Sequence, residues 1–337
     1  MDFGFTDEQQ EIKRTAHEFL TARFSPEKVR ELAESRSYDD SQWREISELG
    51  WPGIAIDEAH GGHGLGMVEL VILCEELGYA CAPTPFLSNA AAGLLIDAVG
   101  SDEQREGWLP GIASGEARGA AAFTPDNEPI VPDAGAAAVI VLPEGDGVRL
   151  VQGAYAEVET VELIDTTREY ARVSASDGDP LPGEPAAGVD RVAVAVAAEL
   201  TGIAQRAMEM AVEYAKEREQ FGRPIGSYQA VSHRCAQMLF DTEEARSLTY
   251  YAAWAANAEP ESLSLAAAMA KARASDAAWS VTASALQVLG GIGFTWEHEL
   301  HFVLKRARAT GQLMGTAGQY RGRVADLLGL AAEPVAG

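Results

Sequence analysis

Residues 214–229 read YAKEREQFGRPIGSYQ, and their reading decides the fold. A helical run rich in Glu, Lys and Arg breaks at Phe221-Gly222, turns through Arg223-Pro224-Ile225-Gly226 and restarts at Ser227. Pro224 fixes its own φ and offers no backbone N–H, while Gly222 and Gly226 permit the φ values of a tight corner. Ser227 is placed to cap the helix that follows. The stretch therefore predicts two long helices joined by a short corner, with Arg218 just before it and Arg223 inside it. Taken alone, such a corner only redirects the chain, and its charges are solvated.

Working outward, residues 190–328 read as helix in four long segments, parted by this corner, by 257–260 and by 290–293. In the second segment Val231, Cys235, Met238, Thr242 and Ala245 alternate steps of four and three, the stripe of a helix bundle. The alanines at Ala266, Ala267, Ala268, Ala270 and Ala272 allow close helix approach. Gln287-Val288-Leu289-Gly290-Gly291-Ile292-Gly293-Phe294 ends one helix in a glycine cluster. Bare backbone there admits a phosphate or a flat ring, or serves as an ordinary glycine turn between helices.

Upstream of the bundle the texture differs. Thr6 and Gln9 form a capping box ahead of Ile12, Ala16, Phe19 and Leu20, which share one helical face. A second helix is expected from about Pro26, and a third through Trp43, Ile46 and Leu49 that stops at Gly50. Residues 51–66, WPGIAIDEAHGGHGLG, carry five glycines in sixteen positions and read as a loop. No strand precedes it, which rejects a dinucleotide-binding fingerprint. Helices are expected again at 67–77, 86–99 and 102–112. From Gly119 the pattern becomes strand-like: 136–142, 147–152, 156–163 and 170–174, after a turn at Thr124-Pro125-Asp126-Asn127-Glu128-Pro129. Residues 177–188, rich in Pro and Gly, read as a linker. The expected architecture is mainly α with a small middle β domain: a helical domain (1–118), an abbreviated β domain with its linker (119–188) and a helical bundle (189–337).

The 337 residues include 26 basic and 51 acidic side chains, a formal charge of −25. A chain this acidic lacks the basic face that nucleic acid requires. Cys74, Cys81 and Cys235 form no C-x-x-C pair, as expected for packing residues in a reducing compartment. No eighteen consecutive apolar residues occur, so no membrane span is expected. The N-terminus lacks the features of a signal peptide, and the expected location is cytoplasmic. His298 and His301 sit three apart on an expected helix, but no third ligand at a suitable spacing supports a metal site. Neither a Gly-x-Ser-x-Gly elbow nor a Walker loop occurs.

Taken together, these stretches resemble the acyl-CoA dehydrogenase family over nearly the whole chain. GWPGIAIDEAHGGHGLG is similar to the family's glycine loop, and GSDEQREGWLPGIASGEARGAAAFT to its approach to the sheet domain. REQFGRPIGSYQ and QVLGGIGFTWE are the most specific signatures. The resemblance implies a helical N-terminal domain, a β domain and a four-helix bundle that hold FAD at a subunit interface. It places Arg218 on the FAD pyrophosphate, Phe221 and Gln229 at the adenosine end, and Gln287, Gly290 and Gly291 beside the same half of the cofactor. Thr316 joins the cofactor-binding set. A diphosphate bound to a chain of −25 needs a placed guanidinium, whose planar fork suits it.

Three departures from the family pattern stand out. The β domain is abbreviated and has no Trp followed by Ser or Thr, the residues that usually hold the flavin ring. The family's common catalytic Glu falls on Met314, in Leu313-Met314-Gly315-Thr316, and a thioether accepts no proton. Asp190, near the start of the first bundle helix, and Glu199, further along it, are the candidate substitutes, with Glu199 expected inside the bundle and its pKa raised. The resemblance thus implies an FAD-dependent acyl-CoA dehydrogenase, or its short subunit beside a longer acyl-CoA dehydrogenase chain, passing electrons to an electron-transfer acceptor. A homo-oligomer, a catalytically silent subunit that completes a partner's FAD site, and a flavin oxidase or monooxygenase of the same fold remain the alternatives.

Overall fold

The computed structural model describes residues 4–122 and 129–330. Helix α1 (Asp7–Arg23) starts at the Thr6–Gln9 capping box, with both reciprocal hydrogen bonds formed. Helix α2 (Pro26–Ser35) starts after Ser25, whose hydroxyl accepts from the Lys28 amide, and α3 (Asp40–Glu48) is capped by Asp39. The glycine-rich loop winds through two single turns of 3₁₀ helix, Trp51–Gly53 and Glu58–His60. Then follow α4 (Met67–Tyr79), α5 (Phe86–Val99) and α6 (Asp102–Ser114), close to the expected runs. Nearly every residue of α5 is buried, because it lies between the sheet domain and the bundle.

The middle domain pairs β1 (Gly119–Ala121), β3 (Val139–Glu144), β4 (Gly147–Gln152) and β7 (Asp179–Leu181) in one sheet. In it β1 lies parallel to β3 and the other pairs are antiparallel. A second, antiparallel sheet orders β2 (Ile130–Pro132), β6 (Tyr170–Ser174) and β5 (Glu157–Thr160). Ala120, Ile140, Leu142 and Val151 of the first sheet pack against Val131, Ala171 and Val173 of the second. The short strands β1, β2 and β7 escape sequence reading because three residues are too few to show an alternation. Strand β7 and the first turn of α7 both fall in the stretch read as a linker. Pro180 is tolerated in β7 because that strand is an edge. The turn expected at Thr124–Glu128 lies outside the described residues.

The bundle consists of α7 (Ala186–Glu217), α8 (Gln229–Ala258), α9 (Leu263–Leu289), α10 (Leu300–Thr310) and α11 (Ala317–Leu327). The corner between α7 and α8 closes with a two-residue antiparallel pairing of β8 (Glu219–Gln220) with β9 (Arg223–Pro224). Ser227 does not cap α8. Its hydroxyl donates instead to the Pro224 carbonyl at 2.7 Å, and Tyr228 takes the N-cap position without a side-chain bond. Helix α9 is long and apolar enough, by length and composition, to cross a membrane. Its apolar side chains are spent inside the bundle, where Ala266, Ala267, Ala270, Ala274, Ala277, Val281 and Ala285 are all buried. Helices α4 and α7 cross with their backbones in near contact. A Cβ at Gly78 would stand 2.1 Å from the Glu199 carbonyl oxygen, and one at Gly202 would stand 1.9 Å from that of Glu75.

Candidate functional site

Helices α8 and α9 form an antiparallel hairpin, so the start of α8 and the end of α9 come to one end of the bundle, beside the end of α7. Arg218, Phe221, Gln229, Gln287, Gly290 and Gly291 therefore gather at that end. Arg218 stands at the C-cap of α7 with extended backbone, and its exposed guanidinium makes no ion pair among the described residues. Phe221 is 93% exposed with φ of 52°, a conformation that turns its ring away from the core. The Arg223 guanidinium lies 4.0 Å from the Tyr228 ring centroid and braces the corner. Above Gly222, Gly290 and Gly291 there is open space: a Cβ at any of them would meet nothing within 4 Å. Bare backbone, free guanidinium and exposed aromatic are the groups that take a diphosphate and a flat base.

Met314 and Thr316 lie elsewhere. Lys271 on α9 donates to the Gly315 carbonyl at 3.2 Å, and the nineteen residues from Lys271 to Gly290 amount to roughly 28 Å of helix. The two sets of expected cofactor residues therefore do not converge on one pocket within the chain. Thr316 is occupied as the N-cap of α11, bonded reciprocally with Gln319. Met314 has φ of 65° and helps to line a cavity of about 190 Å³ with Leu95 of α5, Val189 and Val192 of α7, and Pro143 and Val148 of the β3–β4 hairpin. Asp146, on the exposed turn of that hairpin, is the one ionisable group among its lining residues.

Neither candidate carboxylate is among the residues that line this cavity. Glu199 is buried at the meeting point of all three domains. Its Oε2 lies 2.8 Å from Nη2 of Arg168, and its Oε1 lies 3.1 Å from Nη1 of Arg306 and accepts from the Thr310 hydroxyl at 3.2 Å. Arg306 also meets Asp165 at 3.0 Å, and Arg168 faces Asp133, which accepts from Ser88 and Tyr38. The expectation of a raised pKa at Glu199 is corrected here. Burial alone would push the carboxyl up, but the guanidiniums of Arg168 and Arg306 outweigh it and hold the group below the usual carboxylate range. Asp190 is fully buried, paired at 2.7 Å with Arg323 and accepting from Ser264 at 2.6 Å. The adjacent Arg191 points instead toward Asp97.

FAD fits these residues by halves. The corner and glycine end offers what a diphosphate and an adenine require. The cavity at Met314 does not suit a flavin ring with a substrate beside it, because ligand pockets run to about 300–1,000 Å³ and its walls are aliphatic.

His298 precedes α10 rather than lying on it, and the His301 ring packs between Trp296 and Phe302. Among the described residues no group of three His, Cys, Asp or Glu could hold a metal ion. The two arginines of the buried knot and Lys271 were not singled out as site residues from the sequence. A signal existed for two of them: Arg306 sits in the apolar row Phe302, Val303 and Ala307, and Lys271 in a row of alanines. An ionic residue at a core position of a periodic stripe needs a buried partner.

Two family models match the chain: "Acyl-CoA dehydrogenase, N-terminal domain" over residues 6–116 and "Acyl-CoA dehydrogenase, C-terminal domain" over residues 186–328. The chain is 35% identical over 310 residues to acyl-CoA dehydrogenase IpdE2 of Mycobacterium tuberculosis, covering 91% of this chain and 93% of that one. It is also 35% identical to acyl-CoA dehydrogenase FadE34 of the same organism, covering 85% of this chain but 42% of that longer protein. Among solved structures, the steroid acyl-CoA dehydrogenase variant Tcur3481-Tcur3483 G363A superposes with a TM-score of 0.89 at 28% identity, covering 96% of this chain and 98% of the matched one.

Proposed function

The chain belongs to the acyl-CoA dehydrogenase family, and from that premise we propose that it is the short subunit of a hetero-oligomeric acyl-CoA dehydrogenase. FAD-linked dehydrogenation of an acyl-CoA thioester is the chemistry general to the family. In that reaction a base removes the α-proton while a hydride passes from the β-carbon to the flavin. Among the described residues none of the expected positions offers a free base: Met314 stands where the carboxylate is expected, Glu199 is locked between two guanidiniums, and Asp190 is paired with Arg323. What it retains is the end of the bundle that faces outward, where Arg218, Gln229, Gln287 and the bare backbone at Gly290–Gly291 present donors to a ligand held by a neighbour. That contrast between an inner cavity lined mostly by aliphatic side chains and an open outer end of donors is the observation that carries the reading. The steroid enzyme in the superposed structure favours a bulky, polycyclic acyl group for the complete assembly.

The test is to purify the chain alone and together with a longer acyl-CoA dehydrogenase chain from the same organism, then count flavins per subunit. The expected result is little flavin on the isolated chain and fewer flavins than subunits in the complex. One tightly held FAD per chain in the isolated protein would overturn the short-subunit reading.

Arg218→Ala tests the open end directly. Loss of a charge-assisted contact to the pyrophosphate is expected to weaken flavin retention in the complex by roughly 10- to 100-fold, as a contact of about 1.5–3 kcal/mol implies. The thermal melt should be unchanged, since Arg218 is exposed. Lys should recover part of the loss, because a point charge cannot replace the planar fork. Equal flavin retention in the two proteins would leave Arg218 a solvated surface residue.

A further inference from the structure

Lys271 is fully buried, yet it has no carboxylate partner among the described residues. Its Nζ lies 2.9 Å from the Ser275 hydroxyl oxygen, 3.2 Å from the Gly311 carbonyl and 3.2 Å from the Gly315 carbonyl, with the Tyr320 ring centroid 5.2 Å away. An ammonium has three N–H donors, and three oxygens receive them. The Gly311 carbonyl stands at the C-terminal end of α10, where the helix dipole favours a cation. Between the two clamped carbonyls runs a turn with one disfavoured residue: Met314 has φ of 65°, while Gly315 takes its φ of 115° freely, as a glycine does. A bulky non-glycine residue in the left-handed region persists only where its surroundings dictate it. That turn also places Met314 on the wall of the cavity between α5, α7 and the β3–β4 hairpin, beside the cluster of Ala193, Ala268, Ala272 and Tyr320.

We propose that Lys271 is a positioning residue: by holding the carbonyls of Gly311 and Gly315 it fixes the intervening turn so that residue 314 is aimed into this cavity. The aim is independent of what residue 314 is, so the chain keeps the support for a presented side chain although the side chain presented is a thioether. The inference does not depend on the short-subunit reading, and its test uses no flavin and no partner.

Met314→Glu places a carboxyl at the aimed position, and its titration can be read by carbon-13 NMR in the isolated chain. If the turn aims it into the aliphatic cavity, desolvation should raise its pKa by about one unit or more above the usual value of about 4.3. Combining it with Lys271→Met should let the turn relax and the carboxyl reach water, bringing the pKa back toward that value. A lysine acting only as a nearby charge gives the opposite sign, because removing a cation raises a neighbouring carboxyl further. Asp146, the other ionisable group at the cavity, raises the carboxyl only while the turn aims it there, so its effect fades with the same sign when the turn relaxes. Should the lysine variant fail to fold, Ser275→Ala, which loosens the same amine without removing it, is to be combined with Met314→Glu, with a smaller fall expected. An ordinary pKa in the single variant, or a further rise in the combined one, would overturn the proposal.

Discussion

Glu199→Ala is expected to destabilise the chain by about 3–5 kcal/mol, the cost of leaving buried charges without their partner. Glu199 sits on α7, Arg168 on the segment before β6 and Arg306 on α10, while Asp133 and Ser88 carry the knot on to the β domain and α5. Removing the carboxylate takes from two buried guanidiniums the partner they share, leaving Arg306 with Asp165 and Arg168 with the longer contact to Asp133. It also frees the Thr310 hydroxyl that donates to it. Glu199→Gln keeps the shape and some hydrogen bonds, so it should cost less than Ala but still well over an ordinary surface change. Urea denaturation followed by far-ultraviolet circular dichroism measures both.

The pH dependence gives an independent check on the same residue. The folded pKa of Glu199 is lowered relative to the unfolded one, so folding favours its ionised form. Its stabilising share is then fully present above the unfolded value and is lost as pH falls through the folded value. The wild type should lose more stability on acidification than Glu199→Gln does. A Glu199→Ala variant as stable as the wild type at neutral pH, with the same acid limb, would mean that the knot contributes nothing net.

Much of the architecture was legible because it rests on local rules. The corner at 221–226, the capping box at Thr6–Gln9 and the strands at 147–152 and 170–174 are each decided by residues within a few positions of one another. The grouping of Arg218, Phe221, Gln229, Gln287 and Gly290 at one bundle end was equally legible, given two antiparallel helices of similar length. What could not be read is the chemistry that depends on distant partners. Glu199 was expected inside the bundle; it is buried, but where the bundle meets the other two domains. Its pKa direction turns on Arg168 and Arg306, which are 31 and 107 residues away. Asp190 sits beside Arg191 in the chain, yet its partner is Arg323, brought to it by α11 packing on α9. The Lys271 clamp was legible only in part: a lysine among alanines calls for buried partners, and Ser275 stands one turn on, but its other two acceptors are backbone carbonyls, which no side-chain pattern announces.

Gly202→Ala is expected to cost about 3 kcal/mol, the upper part of the usual range for overpacking, although alanine is the better helix former. In an exposed helix the same change would gain up to about 1 kcal/mol from propensity. Here the added methyl would stand 1.9 Å from the Glu75 carbonyl oxygen and 2.7 Å from the Tyr79 amide nitrogen. Both are backbone atoms of α4, so no side-chain rotation relieves the overlap, and the helices must separate. Gly78 faces the same crossing from the other side, its Cβ position 2.1 Å from the Glu199 carbonyl. Any separation of α4 from α7 therefore shifts the stretch of α7 that carries Glu199, so the overlap strains the ionic knot as well. The two substitutions should then be less than additive, since the first displacement makes room for the second methyl. Thermal melts of Gly202→Ala, Gly78→Ala and the double variant test this. A Gly202→Ala protein that melts at or above the wild-type temperature would show that α4 and α7 can part without cost, and that the close crossing is not what seats the N-terminal domain on the bundle.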